Sequence, residues 1–138
     1  MEQRRRGVSN EEMPIRFLID PGRHQIRVAL SGVVTREDLR AYFENVRSNP
    51  RAELDELIDL TEADPSAITS DQIAAIAHAA REIEPGTRAA RVAIVAPGDV
   101  AFGLARMYEA QQDRLSNTIR VFRDLAEAEE WLALENGV

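Results

Sequence analysis

Cysteine and lysine are both absent from the 138 residues. Without cysteine there is no disulfide, no thiolate nucleophile and no cysteine-ligated zinc. Without lysine, Schiff-base chemistry and a lysine general base are excluded, and all 17 basic side chains are arginine. Arginine-only usage with abundant alanine fits a GC-rich bacterial genome. No apolar run approaches the roughly 20 residues that a membrane-spanning helix needs. Acidic residues outnumber basic ones, 24 to 17. The formal net charge is −7, and no basic face of the kind that serves nucleic-acid binding stands out. Arg4, Arg5 and Arg6 form the one basic cluster, inside a stretch, residues 1–13, expected to be a flexible polar tail. No apolar segment follows it, so it does not read as a secretory signal. With no thiol, signal or span, the expected location is the cytoplasm.

The rest, from residue 14 to 138, reads as one domain. Ile15, Phe17 and Ile19 alternate with polar residues. After Pro21-Gly22-Arg23-His24, Ile26, Val28 and Leu30 alternate in turn, which predicts an antiparallel hairpin. Thr35 with Asp38 opens a helix striped by Leu39, Tyr42, Phe43 and Val46. "LDELIDL" is a strand. "TEADPSAITS" is a loop, and Thr69 with Gln72 forms a capping box for a helix striped by Ile73, Ile76, Ala77, Ala80 and Ile83. "RAARVAIVA" predicts a strand buried on both faces. A helix follows from Asp99 to about Ser116, then a strand "TIRVF", then a helix capped by Asp124 and Glu127 that carries Leu125, Ala128, Trp131 and Leu132. The order β-β-α-β-α-β-α-β-α argues a single α/β domain with a mostly parallel, five-stranded sheet and an N-terminal antiparallel hairpin. Its core is expected at Leu39, Phe43, Ile73, Ile76, Val92, Ile94, Leu104 and Leu132. Arg27 and Arg120 interrupt strands. An unpaired buried charge is costly, so either both strands are edges or one sheet face is partly open.

"RVAIVAPGDVAFGLAR" places Gly98 and Gly103 in the spacing of a phosphate loop. Leu104 and Ala105 then stand where that loop needs Lys and Ser or Thr, which argues against a nucleotide site. Gly98 is expected to ease the strand-to-helix turn and Asp99 to cap the helix. Helical spacing groups Val100, Leu104, Met107, Tyr108, Gln111 and Leu115 on one side, and Phe102 with Arg106, Glu109 and Asp113 on the other. Phe102 and Arg106 are therefore candidate contacts to a protein partner or to a second copy in a homodimer. Packing of Phe102 on a neighbouring loop is the plainer reading.

Ligands bind at the C-terminal ends of parallel strands. There Asp59, Asp64 and Asp99 could converge for acid-base work. The alternative is that Asp64 is a turn residue and Asp99 a cap; Asp59, within a strand, needs a hydrogen-bond partner. His24 and His78 lack metal-ligand spacing and read as surface residues. No metal or cofactor is expected, and no serine stands in a nucleophile elbow.

The strand "RVAIVA" with "AFGLARMYE", the strand exit "LIDLTEA" and the ending "IRVFRDLAEAEEWL" resemble the SpoIIAA-like branch of the STAS domains, whose fold is shared with CRAL-TRIO lipid-binding domains. The resemblance covers roughly Ile15 to Leu134. It implies strands in consecutive order, in a βα superhelix with helices largely on one face. It also implies a non-enzymatic regulatory or protein-interaction module. Better-known members carry a phosphorylatable serine in an Asp-Ser-Ser-Gly type motif after the third strand. Here the segment reads "DLTEADPSAITSDQ", so the motif is missing, although Thr61, Ser66, Thr69 and Ser70 lie near its place. The CRAL-TRIO likeness implies instead a small apolar ligand or lipid, which an apolar pocket of about 300 Å³ or more would favour. An enzyme with carboxylates at the strand ends is the third reading.

Overall fold

The computed structural model describes residues 15–47, 54–83, 91–111 and 119–134. The expected tail at 1–13, the side chains of Phe17, Phe43, Val46, Ala80 and Ile83, and the stretch from Asp113 to Ser116 lie outside them. Strands β1 (Ile15–Asp20), β2 (Gln25–Val33), β3 (Asp55–Asp64), β4 (Val92–Val95) and β5 (Ile119–Phe122) alternate with helices α1 (Arg36–Arg47), α2 (Ser70–Ile83), α3 (Asp99–Gln111) and α4 (Leu125–Ala133). They form one five-stranded sheet in the order β1-β2-β3-β4-β5. β1 is antiparallel to β2, and the remaining pairs are parallel.

Register explains which face each residue serves. Ile19, Ile26, Glu56, Val92 and Ile119 align across the five strands, and Val28, Ile58, Ile94 and Val121 align across the last four. This face is apolar apart from Glu56, and it packs against α1, α2 and α3 through Leu39, Tyr42, Ile73, Ile76, Ala101 and Ala105. The three crossovers each step one strand along in the same direction. Crossovers of one hand must then lie on one face. The last helix, α4, follows the last strand and is free to fold back onto the other face, where Ala128 and Leu132 meet Leu57, Ala93, Val95 and Phe122.

α4 covers only part of that second face. Arg27 and Arg120 both belong to it, in line with Leu57 and Ala93. β5 is an edge strand but β2 is not, so the partly open face, rather than two edges, accommodates both arginines. Arg27 reaches Glu129 of α4 at 3.0 Å. Arg120 lies exposed, its guanidinium 5.7 Å from the Trp131 ring centroid and 5.4 Å from that of Phe122.

Both capping boxes form. Thr35 N–H donates to Asp38 Oδ2 at 2.9 Å, and Asp38 N–H donates back to Thr35 Oγ1 at 3.2 Å. Thr69 and Gln72 exchange the equivalent pair at 3.0 and 3.2 Å. Of the expected core, Ile73, Ile76, Ile94 and Leu132 are buried, and Leu39, Val92 and Leu104 are half-buried. α3 departs from its expected facing. Ala101 and Ala105 are its buried residues, whereas Val100 is 64% and Met107 37% exposed. Small side chains let this helix lie close to the sheet, so alanines mark its inner face, Leu104 and Tyr108 flank them half-buried, and Val100 and Met107 turn outwards.

Candidate functional site

At its C-terminal end the central strand β3 carries a bulge. Ala29 of β2 faces Asp59, but Ser31 faces Glu62, so β3 has one extra residue between them. An extra residue leaves an amide unpaired. Asp59 answers this: its Oδ1 accepts from Thr61 N–H at 2.9 Å and from Thr61 Oγ1 at 2.6 Å. The strand carboxylate has its partner two residues along. Beyond the bulge β2 and β3 continue together past the end of β4, through Gly32, whose φ of 70° is the left-handed conformation that glycine adopts at little cost.

Asp64 ends β3 and caps the 3₁₀ turn Pro65–Ala67, its Oδ1 accepting from Ser66 N–H at 3.0 Å. Donation by the Ser66 backbone and side chain favours the carboxylate and holds the Asp64 pKa below its usual 3.8. A lowered folded-state pKa stabilises the turn above the unfolded value and ceases to do so as pH falls through the folded one. Carbon-detected NMR titration should place the Asp64 midpoint below that of an ordinary aspartate, and Ser66→Ala should move it upwards. An unshifted midpoint in the wild type would disprove the capping role. Ser66, Thr69 and Ser70 are exposed, with Thr69 and Ser70 at the start of α2.

A second cluster forms where β4 leads into α3. Here two expectations are corrected. Phe102 N–H donates to the Gly98 carbonyl at 2.8 Å, so Gly98 holds the cap position and Asp99 already lies inside the first turn. A Cβ added at Gly98 would meet no atom within 4 Å, so space does not demand glycine there. The Asp99 carboxylate turns away from the helix amides and accepts from Arg123 Nη1 at 2.7 Å. Arg123 also donates to the Pro97 carbonyl at 3.2 Å, and its guanidinium stands 4.1 Å from the Phe102 ring centroid. Arg106 lies over the same ring at 5.9 Å and pairs with Glu109 at 3.0 Å. Phe102 is thus half-buried, packed by the residue that follows β5 as well as by its own helix.

Among the described residues no hydrogen bond or ion pair joins the two clusters. An apolar cavity of about 120 Å³ lies beneath them, lined by Leu30, Ile58, Leu60, Ile73, Leu104 and Tyr108 among others. None of Asp59, Asp64 and Asp99 lines it, and Asp59 alone borders the groove on the open sheet face. The cavity is well short of the roughly 300 Å³ of a typical ligand site.

Sequence reasoning passed over two polar groups. Glu56 is buried on the helix-covered face and accepts from the Tyr42 hydroxyl. Its phase with Leu54, Ile58 and Leu60 was the available signal. Arg91 binds Asp55 and the end of α4: its backbone N–H donates to Asp55 Oδ1 at 2.8 Å, Nη1 to the Trp131 carbonyl at 3.0 Å and Nη2 to the Leu132 carbonyl at 2.9 Å. No local pattern marks that pairing.

A family model described as SpoIIAA-like matches residues 25–133. The chain belongs to the SpoIIAA-like family. Among solved structures it is similar to an uncharacterised protein with a SpoIIAA-like fold from Shewanella loihica PV-4. The two are 21% identical with a TM-score of 0.55, over 86% of this chain and 93% of that one. Identity at this level shows a shared fold. No curated protein matches the chain. Among the described residues of this SpoIIAA-like protein, no helix is long and apolar enough to cross a membrane.

Proposed function

We propose that this SpoIIAA-like protein is a non-enzymatic regulatory module that binds a protein partner through the outer face of α3. The supporting observation is the composition of that face. Val100, Gly103, Arg106, Met107 and Ala110 are all exposed there, and the stack of Arg106, Phe102 and Arg123 borders them. Apolar side chains beside arginine and an aromatic ring are the mixture found in protein interfaces. A Cβ added at Gly103 would meet no atom within 4 Å, so this stretch of backbone is open to close approach. The carboxylates weigh against catalysis: Asp59, Asp64 and Asp99 each make a separate local bond, to Thr61, Ser66 and Arg123. Thr61 near the end of β3, Ser66 in the 3₁₀ turn, and Thr69 and Ser70 at the start of α2 are the exposed hydroxyls through which such a contact would be regulated.

Photo-crosslinking from position 107 in cells of the native host, read by mass spectrometry, tests the reading. One protein should be captured in excess over the same probe placed at exposed Arg36, and Phe102→Glu should reduce that capture at least tenfold. Equal capture from both positions, or capture insensitive to Phe102→Glu, would refute it.

A further inference from the structure

β1 is an edge strand with an unusual centre. Leu18 is 67% exposed, the most exposed large apolar residue described. It belongs to the sheet face that α4 leaves uncovered, as do Arg16 and Asp20, in line with Arg27, Ala29 and Gln25 of β2. Arg16 is exposed and has no ion-pair partner among the described residues. Among the described residues the Asp20 carboxylate contacts only the turn, accepting from Arg23 N–H at 3.3 Å with Arg23 Nε at 3.8 Å.

Exposed edges invite another strand, and proteins ordinarily deter this with charge. The charges here do the opposite. Arg16 and Asp20 stand two residues either side of Leu18 and carry opposite signs. If a second β1 is laid antiparallel with Leu18 against Leu18, each Arg16 falls opposite an Asp20, and all three pairs share one face of the joined sheet. Opposite charges directly across strands stabilise the pairing and like charges oppose it. Parallel pairing in register would set Arg16 on Arg16 and Asp20 on Asp20. The pattern therefore selects the antiparallel arrangement, which is also the one compatible with a closed two-fold dimer.

We propose that this protein self-associates by antiparallel pairing of β1 with β1 of a second copy about Leu18, joining two five-stranded sheets into one. The groove bordered by Arg16, Leu18, Arg27 and Asp59 then runs beside the junction on both copies. This surface is separate from the partner face of α3. Two short strands meeting edge to edge bury less than the roughly 1,200 Å² of a standard interface, so the dimer belongs to the weak class.

Sedimentation equilibrium from about 10 μM to about 1 mM, a range that brackets weak association, should show wild-type mass rising towards twice the monomer. Arg16→Asp alone and Asp20→Arg alone should each remain monomeric, because their own dimers would face like charges. Their equimolar mixture should dimerise, because every facing pair is then of opposite sign. Amide exchange at Phe17–Ile19 of the wild type should slow with concentration, a readout that needs no variant. A wild type that stays monomeric, a mixture that stays monomeric while both components fold, or concentration-independent exchange would each overturn the proposal. So would association abolished by Phe102→Glu and untouched by Arg16→Asp, which would move the contact to α3.

Discussion

Leu57→Ala should lower the unfolding free energy by about 2–5 kcal/mol. Leu57 is 1% exposed and lies between β3 and α4, touching the cluster of Ala93, Val95, Phe122, Ala128 and Leu132. α4 makes its buried apolar contact with the sheet through this cluster, and Leu57 is the cluster's largest residue buried to that degree. Truncation would leave a cavity that the neighbouring alanines cannot fill. Domains of this size are stable by only about 5–15 kcal/mol, so the loss should be plain in urea melts as a lower midpoint at unchanged slope. A loss below about 1 kcal/mol would show that α4 packs on the sheet more loosely than described. Ile94 provides the comparison: it faces the other way, beside the existing apolar cavity, where its neighbours already have room to shift.

Arg91→Ala should cost about 3 kcal/mol, the lower end for breaking a buried ion pair. Both Arg91 and Asp55 are largely buried, at 3.4 Å. The guanidinium also holds the Trp131 and Leu132 carbonyls at the C-terminal end of α4 and lies 5.5 Å from the Trp131 ring centroid. A cation at a helix C-terminus is favoured by the helix dipole. Removal takes the guanidinium from Asp55, which keeps only the position-91 amide, and takes the donor from the Leu132 carbonyl, while the Trp131 carbonyl keeps the Leu134 N–H. Adding Asp55→Asn to Arg91→Ala should recover part of the loss, and the non-additivity measures the pair itself. Strictly additive costs, or a single-variant loss under about 1 kcal/mol, would mean that Arg91 is ornamental.

What the sequence disclosed and what it hid follow one physical division. Local chemistry was legible: the alternation in Ile15–Ile19, the Thr35/Asp38 and Thr69/Gln72 boxes and the Pro-Gly turn all depend on residues a few positions apart. The interruption of strands by Arg27 and Arg120 left two readings, paired edges or an open face, and the strand order decides for the second. α3 was legible in part: Leu104 and Tyr108 do turn inwards, but spacing weighed by side-chain size passed over Ala101 and Ala105, the small residues that a helix drawn tight against a sheet buries. Phe102 and Arg123, or Arg91 and the end of α4, meet only after the chain has crossed the sheet. The chemistry at the strand ends was half legible: Asp59 was seen to need a partner, but the bulge that supplies Thr61 arises from the pairing of β2 with β3.

The strand order has a kinetic meaning. Each strand pairs with the one before it in the chain, so no pairing waits for a segment beyond the next βα unit to return. Closing a short loop costs less entropy than closing a long one, and structures built from near neighbours fold faster than those built from remote ones. The sheet can therefore grow from the β1–β2 hairpin in the direction of synthesis, each βα unit finding its docking edge already made. For such a chain the first strand acts as a template for everything that follows.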